Sequence, residues 1–270
     1  MALTAVGTDL GNSAIAQVKS LFGDDHPLVV NVSSVTTMRV TGGGTVIFPG
    51  PVPRTPQQLA SDVNSLNGPG VLPDAVATQV KLTNAGDATA YITDITLHKT
   101  CTAPLTGTIV YDPPQGNGGG STDVVDIGFD LDSPHPPPQN FNPDSLQLSG
   151  NYFLGHTVAI VKGAPQTLVL LAKTSRHYCR YSYEITLDGE KDQTATKTVP
   201  STKGRSLQVT ANLIGDHSPR PLTAYQRAYV PGYQAGPINV GTGAGTSANA
   251  SSSNSLVQVN PKKWKPYTAR

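Results

Sequence analysis

The chain has few charges and no long hydrophobic run, and each scarcity excludes something. Only 14% of the 270 residues are charged and the net charge is +1, so no global field attracts nucleic acid or an anionic membrane. No apolar run reaches the roughly 18 residues of a membrane-spanning helix. Residues 1–23 lack a basic leader followed by an apolar stretch, and we expect no secretory signal there.

Sequence motifs of the common enzyme classes are also absent. The chain has no Gly-x-Ser-x-Gly elbow, no phosphate-binding loop, no dinucleotide-binding fingerprint and no His-Glu-x-x-His motif. We therefore expect neither enzymatic activity nor a cofactor. A Ser-His-Asp site or a carboxylate pair assembled from distant residues stays open as an alternative.

Glycine and proline are abundant, with 27 and 23 residues, and this composition favours many short strands over long helices. The prediction is an all-β protein with two short helices. One helix is expected over residues 12–22, where apolar residues follow a helical stripe. The other is expected to begin at Thr55, because Pro56 and Gln58 complete a capping-box pattern.

Residues 76–97 form the centre of the predicted fold. Val76, Val80 and Leu82 alternate with polar residues and indicate a strand, and residues 84–87 supply turn chemistry. A second strand follows in residues 88–97, so we interpret this run as a hairpin. A later block echoes it, with paired strands predicted over 156–162 and 166–173.

Three pieces of this pattern carry a resemblance: residues 84–90 (NAGDATA), 163–170 (GAPQTLVL) and 183–188 (YEITLD). The chain resembles immunoglobulin-like β-sandwich modules of the adhesion-repeat type in bacterial and archaeal surface proteins. It is also similar to uncharacterised actinobacterial proteins of this layout. The resemblance covers residues 75–199 and implies a sandwich, without implying an activity.

Three segments are expected on this basis. Residues 1–74 are an N-terminal αβ lead-in, residues 75–215 are the immunoglobulin-like β-sandwich, and residues 216–270 are an extended C-terminal arm. Residues 241–255 of the arm have the low-complexity composition of a flexible linker.

The two cysteines gain a prediction from the resemblance. It implies that the strands near Cys101 and Cys179 are antiparallel neighbours, which predicts a disulfide and an extracellular or cell-surface location. Two reduced cysteines in a cytoplasmic or virion protein are the alternative. A zinc site of His98, Cys101, His177 and Cys179 is a further alternative, although His98 and Cys101 face opposite sides of a regular strand.

Two charged groups are further candidate sites. Asp126, Asp130 and Asp132 belong to an acidic cluster that suits calcium, with solvated loop charge as the simpler interpretation. In the tail, Lys262, Lys263 and Lys265 surround Trp264, the only tryptophan. Such a group resembles a weak version of a single-stranded nucleic-acid site. We expect instead an interaction arm docked on a neighbouring subunit, with a solvated tail as the alternative.

The expected function is a non-catalytic interaction or structural module that acts through protein–protein contacts. Its partner would be another protein or, in a homo-oligomer, a second copy. The first alternative is a structural subunit of a virion or phage-like particle, because irregular arms around a β-core suit assembly. The second alternative is a hydrolase that acts on a polymer.

Overall fold

The computed structural model describes residues 28–40, 44–52, 55, 58–59, 62, 69–112, 125–142, 145–189, 193–199, 206–214, 222–232 and 255–264. The regular secondary structure of the described residues is almost entirely β-strand, which confirms the predicted all-β class. Their strands are β1 (Val30–Arg39), β2 (Val46–Phe48), β3 (Ala75–Asn84), β4 (Ala90–Thr102), β5 (Thr108–Val110), β6 (Val125–Asp130), β7 (Gln139–Asn142), β8 (Gln147–Ser149), β9 (Val158–Ile160), β10 (Pro165–Lys173), β11 (Tyr178–Asp188), β12 (Thr194–Thr198), β13 (Leu207–Thr210), β14 (Arg227–Pro231) and β15 (Leu256–Val259).

These strands form three sheets. Sheet 1 has the order β1-β3-β10-β6-β7-β8, and sheet 2 has the order β12-β11-β4-β9, with β13 also paired to β11. Sheet 3 has the order β15-β14-β5-β2. Neighbouring strands are antiparallel except for β10 with β6 and β14 with β5.

The main core lies between sheets 1 and 2, whose inner faces contribute to one hydrophobic cluster. Alternation along the strands builds it, because every second side chain of a strand points to the same face. Sheet 1 contributes Val76, Val80, Leu82, Ile127, Phe129, Leu168 and Leu170, and sheet 2 contributes Ile95, Leu97, Tyr181, Tyr183, Ile185 and Leu187. The strand predicted from Val76, Val80 and Leu82 is thus present, and these three side chains face the main core.

The turn after β3 joins the two sheets, and the predicted hairpin was wrong. Both edges of β3 are occupied by β1 and β10, so β4 pairs with β11 and β9 in sheet 2. The Asn84 side chain holds this turn: its Oδ1 accepts from Gly86 N at 2.9 Å. Its Nδ2 donates to the carbonyl oxygens of Ala88 (2.7 Å) and Ile160 (2.9 Å).

The predicted pairing of the two strands within residues 156–173 was also wrong, because these strands belong to different sheets. β9 belongs to sheet 2 and β10 belongs to sheet 1. The intervening residues cross between the sheets, with Gly163 at φ +72°. Strand alternation predicted where strands occur, but alternation carries no information about which edge a strand meets.

A bulge at Thr93 keeps β4 in phase with the core. Asp94 pairs with Thr186 and Ile92 pairs with Leu187, so Thr93 is an extra residue without an opposite partner. Ala90 and Ile92 point inward before the bulge, and Ile95 and Leu97 point inward after it. A regular strand would place one of these two pairs in solvent.

Sheet 3 encloses a second, smaller core and takes strands from all three predicted segments. β2 comes from residues 1–74, β5 from 75–215, and β14 and β15 from 216–270. Their buried side chains pack together with Trp264, which is 2% exposed. The three segments therefore share one sheet, and their boundaries as folding units stay a prediction.

The two predicted helices are not confirmed by the described residues. Residues 12–22 lie outside them, as does most of the stretch after Thr55. The capping box itself is present, since Gln58 N donates to Thr55 Oγ1 at 3.3 Å and Thr55 N donates to Gln58 Oε1 at 3.1 Å. Within the described ranges, no helix is long and apolar enough to cross a membrane.

The predicted disulfide between Cys101 and Cys179 is present. The two residues lie opposite each other on β4 and β11, with a Cα–Cα distance of 4.1 Å and a sequence separation of 78. Cys179 is fully buried in the main core. The bond closes a loop that contains β5 to β10. Both cysteines lie in sheet 2, so both ends of this loop are joined to that sheet.

We predict that reducing this disulfide lowers the free energy of unfolding by about 4 kcal/mol, because the unfolded chain regains the entropy of the closed loop. Denaturant unfolding with and without reductant measures the difference. The free energy of unfolding of the double variant Cys101→Ala/Cys179→Ala should not change when reductant is added. Equal stability of the oxidised and reduced wild-type protein would contradict the prediction.

A second prediction concerns Gly107, where the chain approaches the end of β2. A Cβ atom there would lie 2.5 Å from Phe48 O and 2.5 Å from Gly50 N, both of which are backbone atoms. Gly107→Ala should therefore destabilise the protein by about 1–3 kcal/mol, as overpacking does. Gly50→Ala is the matched control, because a Cβ on Gly50 meets nothing within 4 Å. Thermal melts that fail to separate the two variants would contradict this prediction.

Candidate functional site

A dense group of polar side chains lies where the turn after β6 meets the loop between β10 and β11. Asp132 stands in the turn, and Thr174, Ser175 and His177 belong to the loop. Lys99 reaches the same turn from β4. We call these five residues the Asp132 cluster.

The Asp132 carboxylate is the hub of this cluster, with a side chain only 14% exposed. Its Oδ1 accepts from Thr174 Oγ1 at 2.7 Å and contacts His177 Nδ1 at 3.0 Å. Its Oδ2 accepts from Ser175 N at 2.8 Å and from Ser175 Oγ at 2.7 Å. Both carboxylate oxygens therefore hold the loop against the turn.

The same contacts set the acidity of Asp132. Burial alone would raise the pKa of this carboxyl, but hydrogen bonds from Thr174, Ser175 and His177 outweigh it. The pKa is therefore held well below the ordinary value of 3.8. Hydrogen bonds donated to a carboxylate stabilise its charged form, so the cluster favours an ionised Asp132.

Serine, histidine and aspartate meet here, but their order differs from that of a hydrolytic triad. In a triad, the serine hydroxyl donates to the imidazole, which the carboxylate orients from the other side. Here the Ser175 hydroxyl donates to Asp132 itself. His177 Nδ1 also contacts the Asp132 carboxylate, at 3.0 Å, so the serine and the imidazole both bind Asp132 and are not arranged in the order of a triad.

Lys99 fastens the turn from the opposite sheet. Its ammonium donates to Leu131 O at 2.5 Å and to Ser133 O. Burial lowers the pKa of Lys99, while the nearby carboxylates of Asp132 and Asp130 act in the opposite direction. The lysine thus satisfies main-chain carbonyl groups on both sides of Asp132.

The zinc alternative is not assembled. The sulfur atoms of Cys101 and Cys179 are bonded to each other, so neither is the thiolate that zinc requires. The imidazole of His98 is 59% exposed and faces Glu184 at 4.0 Å, whereas His177 contacts Asp132. The two histidines therefore contact different partners and do not form one ligand set.

The three aspartates considered for calcium also do not converge. Asp126 and Asp130 are four positions apart on β6, which separates them by about 13 Å along a strand. Asp130 accepts from the main-chain N of Asp132 at 3.0 Å, and both oxygens of Asp132 are already hydrogen-bonded. Among the residues that the structure describes, no three His, Cys, Asp or Glu side chains form a metal-binding group.

The tail residues divide into two kinds. Lys262 and Lys263 are exposed, and Lys265 lies outside the described residues. Trp264 is buried in the second core, with its ring edge-on to Tyr111 at 5.9 Å between centroids. The indole therefore faces the interior of its own chain, whereas Lys262 and Lys263 carry their charge at the surface.

Sequence reasoning missed Lys99, Thr174 and Ser175 as members of the cluster. A signal exists for the loop residues, because Thr and Ser directly after a strand commonly hydrogen-bond to nearby backbone. Thr174 Oγ1 indeed accepts from His177 N at 3.0 Å. Lys99 had no local signal, since its contacts lie more than thirty positions away.

No family model and no curated protein matches this chain. Among solved structures, it is similar to a crystal structure of the ApaA protein from Bordetella pertussis, at 12% identity and a TM-score of 0.29. The match covers 70% of this chain and 98% of the other. A TM-score this low supports no argument about fold or function.

We predict that Asp132→Asn lowers the free energy of unfolding by about 1–3 kcal/mol at pH 7, because an amide nitrogen replaces an acceptor that faces buried donors. The folded-state pKa of Asp132 lies below its unfolded value, so its stabilisation is present above about pH 4 and is lost as the pH falls further. The difference between wild type and variant should therefore shrink on acidification. Denaturant unfolding between pH 7 and pH 3 measures it.

The matched control is Asp94→Asn, on the exposed outer face of β4. A surface substitution of this kind should change stability by no more than about 0.5 kcal/mol. A gap between Asp132→Asn and wild type that stays constant over the acid range would contradict the proposed role of the carboxylate.

Proposed function

We propose that the protein is a non-catalytic interaction or structural module that acts through protein–protein contacts. The observation that carries the proposal is the orientation of Ser175. Its hydroxyl and main-chain N both bind Asp132, so the polar groups best suited to chemistry are used to fasten a loop. The cluster contributes to stability at the expense of reactivity.

The position of β1 supports this proposal. β1 is ten residues long and is an outer strand of sheet 1, paired with β3. A strand at the edge of a sheet is the kind of element to which an extended segment of another chain can be added through main-chain hydrogen bonds. A bulge near Ser33, whose Oγ donates to Lys81 O at 2.9 Å, restricts which segments can pair.

We also infer that sheets 1 and 2 form an immunoglobulin-like sandwich of the adhesion-repeat type. The shared core and the antiparallel pairing of β4 with β11 support this inference. The parallel pair of β10 and β6 and the third sheet would be additions to such a module. The disulfide favours an oxidising compartment, as expected for a surface module.

A turnover screen tests the non-catalytic part of the proposal. Wild type and the His177→Ala variant are compared on soluble polysaccharide and peptide substrates, with the unfolding temperature of each recorded. We expect the two proteins to give the same background signal. Turnover by the wild type that His177→Ala abolishes, in a variant that remains folded, would favour a hydrolase.

The interaction part is tested by light scattering on the full-length chain at several concentrations, with free thiols counted on the same sample. We expect no free thiol and a small species. A large discrete assembly with both thiols free would favour the particle-subunit alternative. Deletion variants should remove residues 255–270 rather than 216–270, because the longer deletion also removes β14 from the middle of sheet 3.

A further inference from the structure

Residues 255–264 form a distinct unit, which we call the C-terminal strap. Its strand β15 borders sheet 3 and pairs with β14, from Ala228 opposite Val259 to Pro231 opposite Leu256. Gly232 N donates to Ser255 O at 2.8 Å and extends this pairing by one step. β14 keeps β5 on its other edge, so the strap is a final strand laid on an existing pair.

Two apolar anchors hold the strap to the groove beside β14. Val259 and Trp264 are each 2% exposed and belong to the second core. A turn at Asn260 positions the indole, because Trp264 N donates to Asn260 O at 2.9 Å and Lys262 N donates to Asn260 Oδ1 at 3.0 Å. The groove thus recognises an extended strand followed by a turn and a tryptophan.

One polar group in this groove is not satisfied. The indole Nε1–H of Trp264 is buried and has no hydrogen-bond acceptor among the described residues. A buried donor without a partner loses its hydration and receives nothing in return. The strap is therefore bound less tightly than its buried area alone suggests, and its release recovers the hydration of the indole.

The connection between β14 and the strap is long. It comprises the 22 residues from 233 to 254, whereas hairpin connections usually have two to five. Fully extended, that many residues span about 75 Å, which exceeds the width of a domain of this size. The length of the connection therefore allows the strap to reach the groove of another molecule.

We propose that the C-terminal strap is exchangeable, and that the groove beside β14 accepts the strap of a second copy of this chain. A second copy is the occupant because its strap offers the same strand, turn and tryptophan in the same register. Exchange between two copies is reciprocal, so it closes as a symmetric dimer without leaving a groove empty. The inference rests on the proposed function as an interaction module and names its partner.

Mass action determines when exchange occurs. Because the strap and its own groove belong to one chain, they meet at an effective concentration in the millimolar range, so isolated molecules keep their own strap. Exchange becomes substantial where copies are crowded at comparable concentrations. The exchanged fraction therefore rises with protein concentration.

The test uses the full-length chain with a photoreactive residue in place of Val257, which lies opposite Val230 on β14. Chains labelled with ¹⁴N and ¹⁵N are mixed, incubated from micromolar to millimolar concentrations, and irradiated. We expect cross-links between position 257 and the β14 peptide at every concentration. As the concentration rises, the share of these cross-links that joins a ¹⁴N chain to a ¹⁵N chain should rise toward one half.

The matched control carries the photoreactive residue in place of Leu154, which is 83% exposed and outside sheet 3. It reports random collisions at each concentration. Two outcomes overturn the proposal. In the first, cross-links from position 257 join only chains of the same isotope at all concentrations. In the second, cross-links between ¹⁴N and ¹⁵N chains reach the β14 peptide no more specifically than those of the control. Either outcome leaves the turnover screen unaffected, so the two proposals fail separately.

A second measurement covers the case in which the photoreactive residue prevents folding. The full chain receives a protease site within residues 233–254 and is cut after folding, and a fluorescent peptide of residues 255–264 is added in excess. We expect the peptide to exchange into the groove, and the Trp264→Ala peptide to bind at least tenfold more weakly. A Lys262→Ala/Lys263→Ala peptide should bind like the wild-type peptide, since both lysines are exposed. No binding, or equal binding by the Trp264→Ala peptide, would refute the exchange.

Discussion

The pairing of β4 with β11 is the constraint on which the rest of the structure depends. These are the two longest strands, and they pair over the full length of β11. Their register places Cys101 opposite Cys179 and turns Tyr181, Tyr183, Ile185 and Leu187 into the main core. β9, β12 and β13 occupy their outer edges, so sheet 2 is defined once this pair has formed.

The Asp132 cluster shows how polar side chains close one end of the two-sheet core. A loop between β10, in sheet 1, and β11, in sheet 2, must cross from one sheet to the other, and its main-chain groups need partners. Asp132 accepts from Ser175 N across the loop, and Thr174 Oγ1 accepts from His177 N within it. Lys99 adds the partner for carbonyl groups of the facing turn. The arrangement resembles a catalytic constellation in composition and differs from one in hydrogen-bond order.

Sheet 3 changes the picture of the chain ends. β2 comes from the N-terminal part of the described chain and β15 from its C-terminal part. They are the two outer strands of sheet 3, with β5 and β14 between them. The segment predicted as an extended C-terminal arm therefore contains residues that belong to the fold, because β15 pairs with β14 and Trp264 packs in the second core. The exposed Lys262 and Lys263 lie directly beside that anchor, which leaves the charged face of the segment open to solvent.

The sequence by itself determined the β class, the strands on both sides of the turn at Asn84, the strands within residues 156–173 and the capping box at Thr55. These features depend on neighbours within a few residues, where alternation and turn chemistry act directly. The disulfide followed only from the resemblance, which supplied a strand pairing that local pattern does not contain. Tertiary structure alone decided that the turn at Asn84 joins two sheets, that Trp264 is buried, and that Asp132 binds Ser175 and His177. Each of these depends on which strand edges meet, and edges are chosen by contacts between residues far apart in the chain, whose alternation is the same for every possible partner.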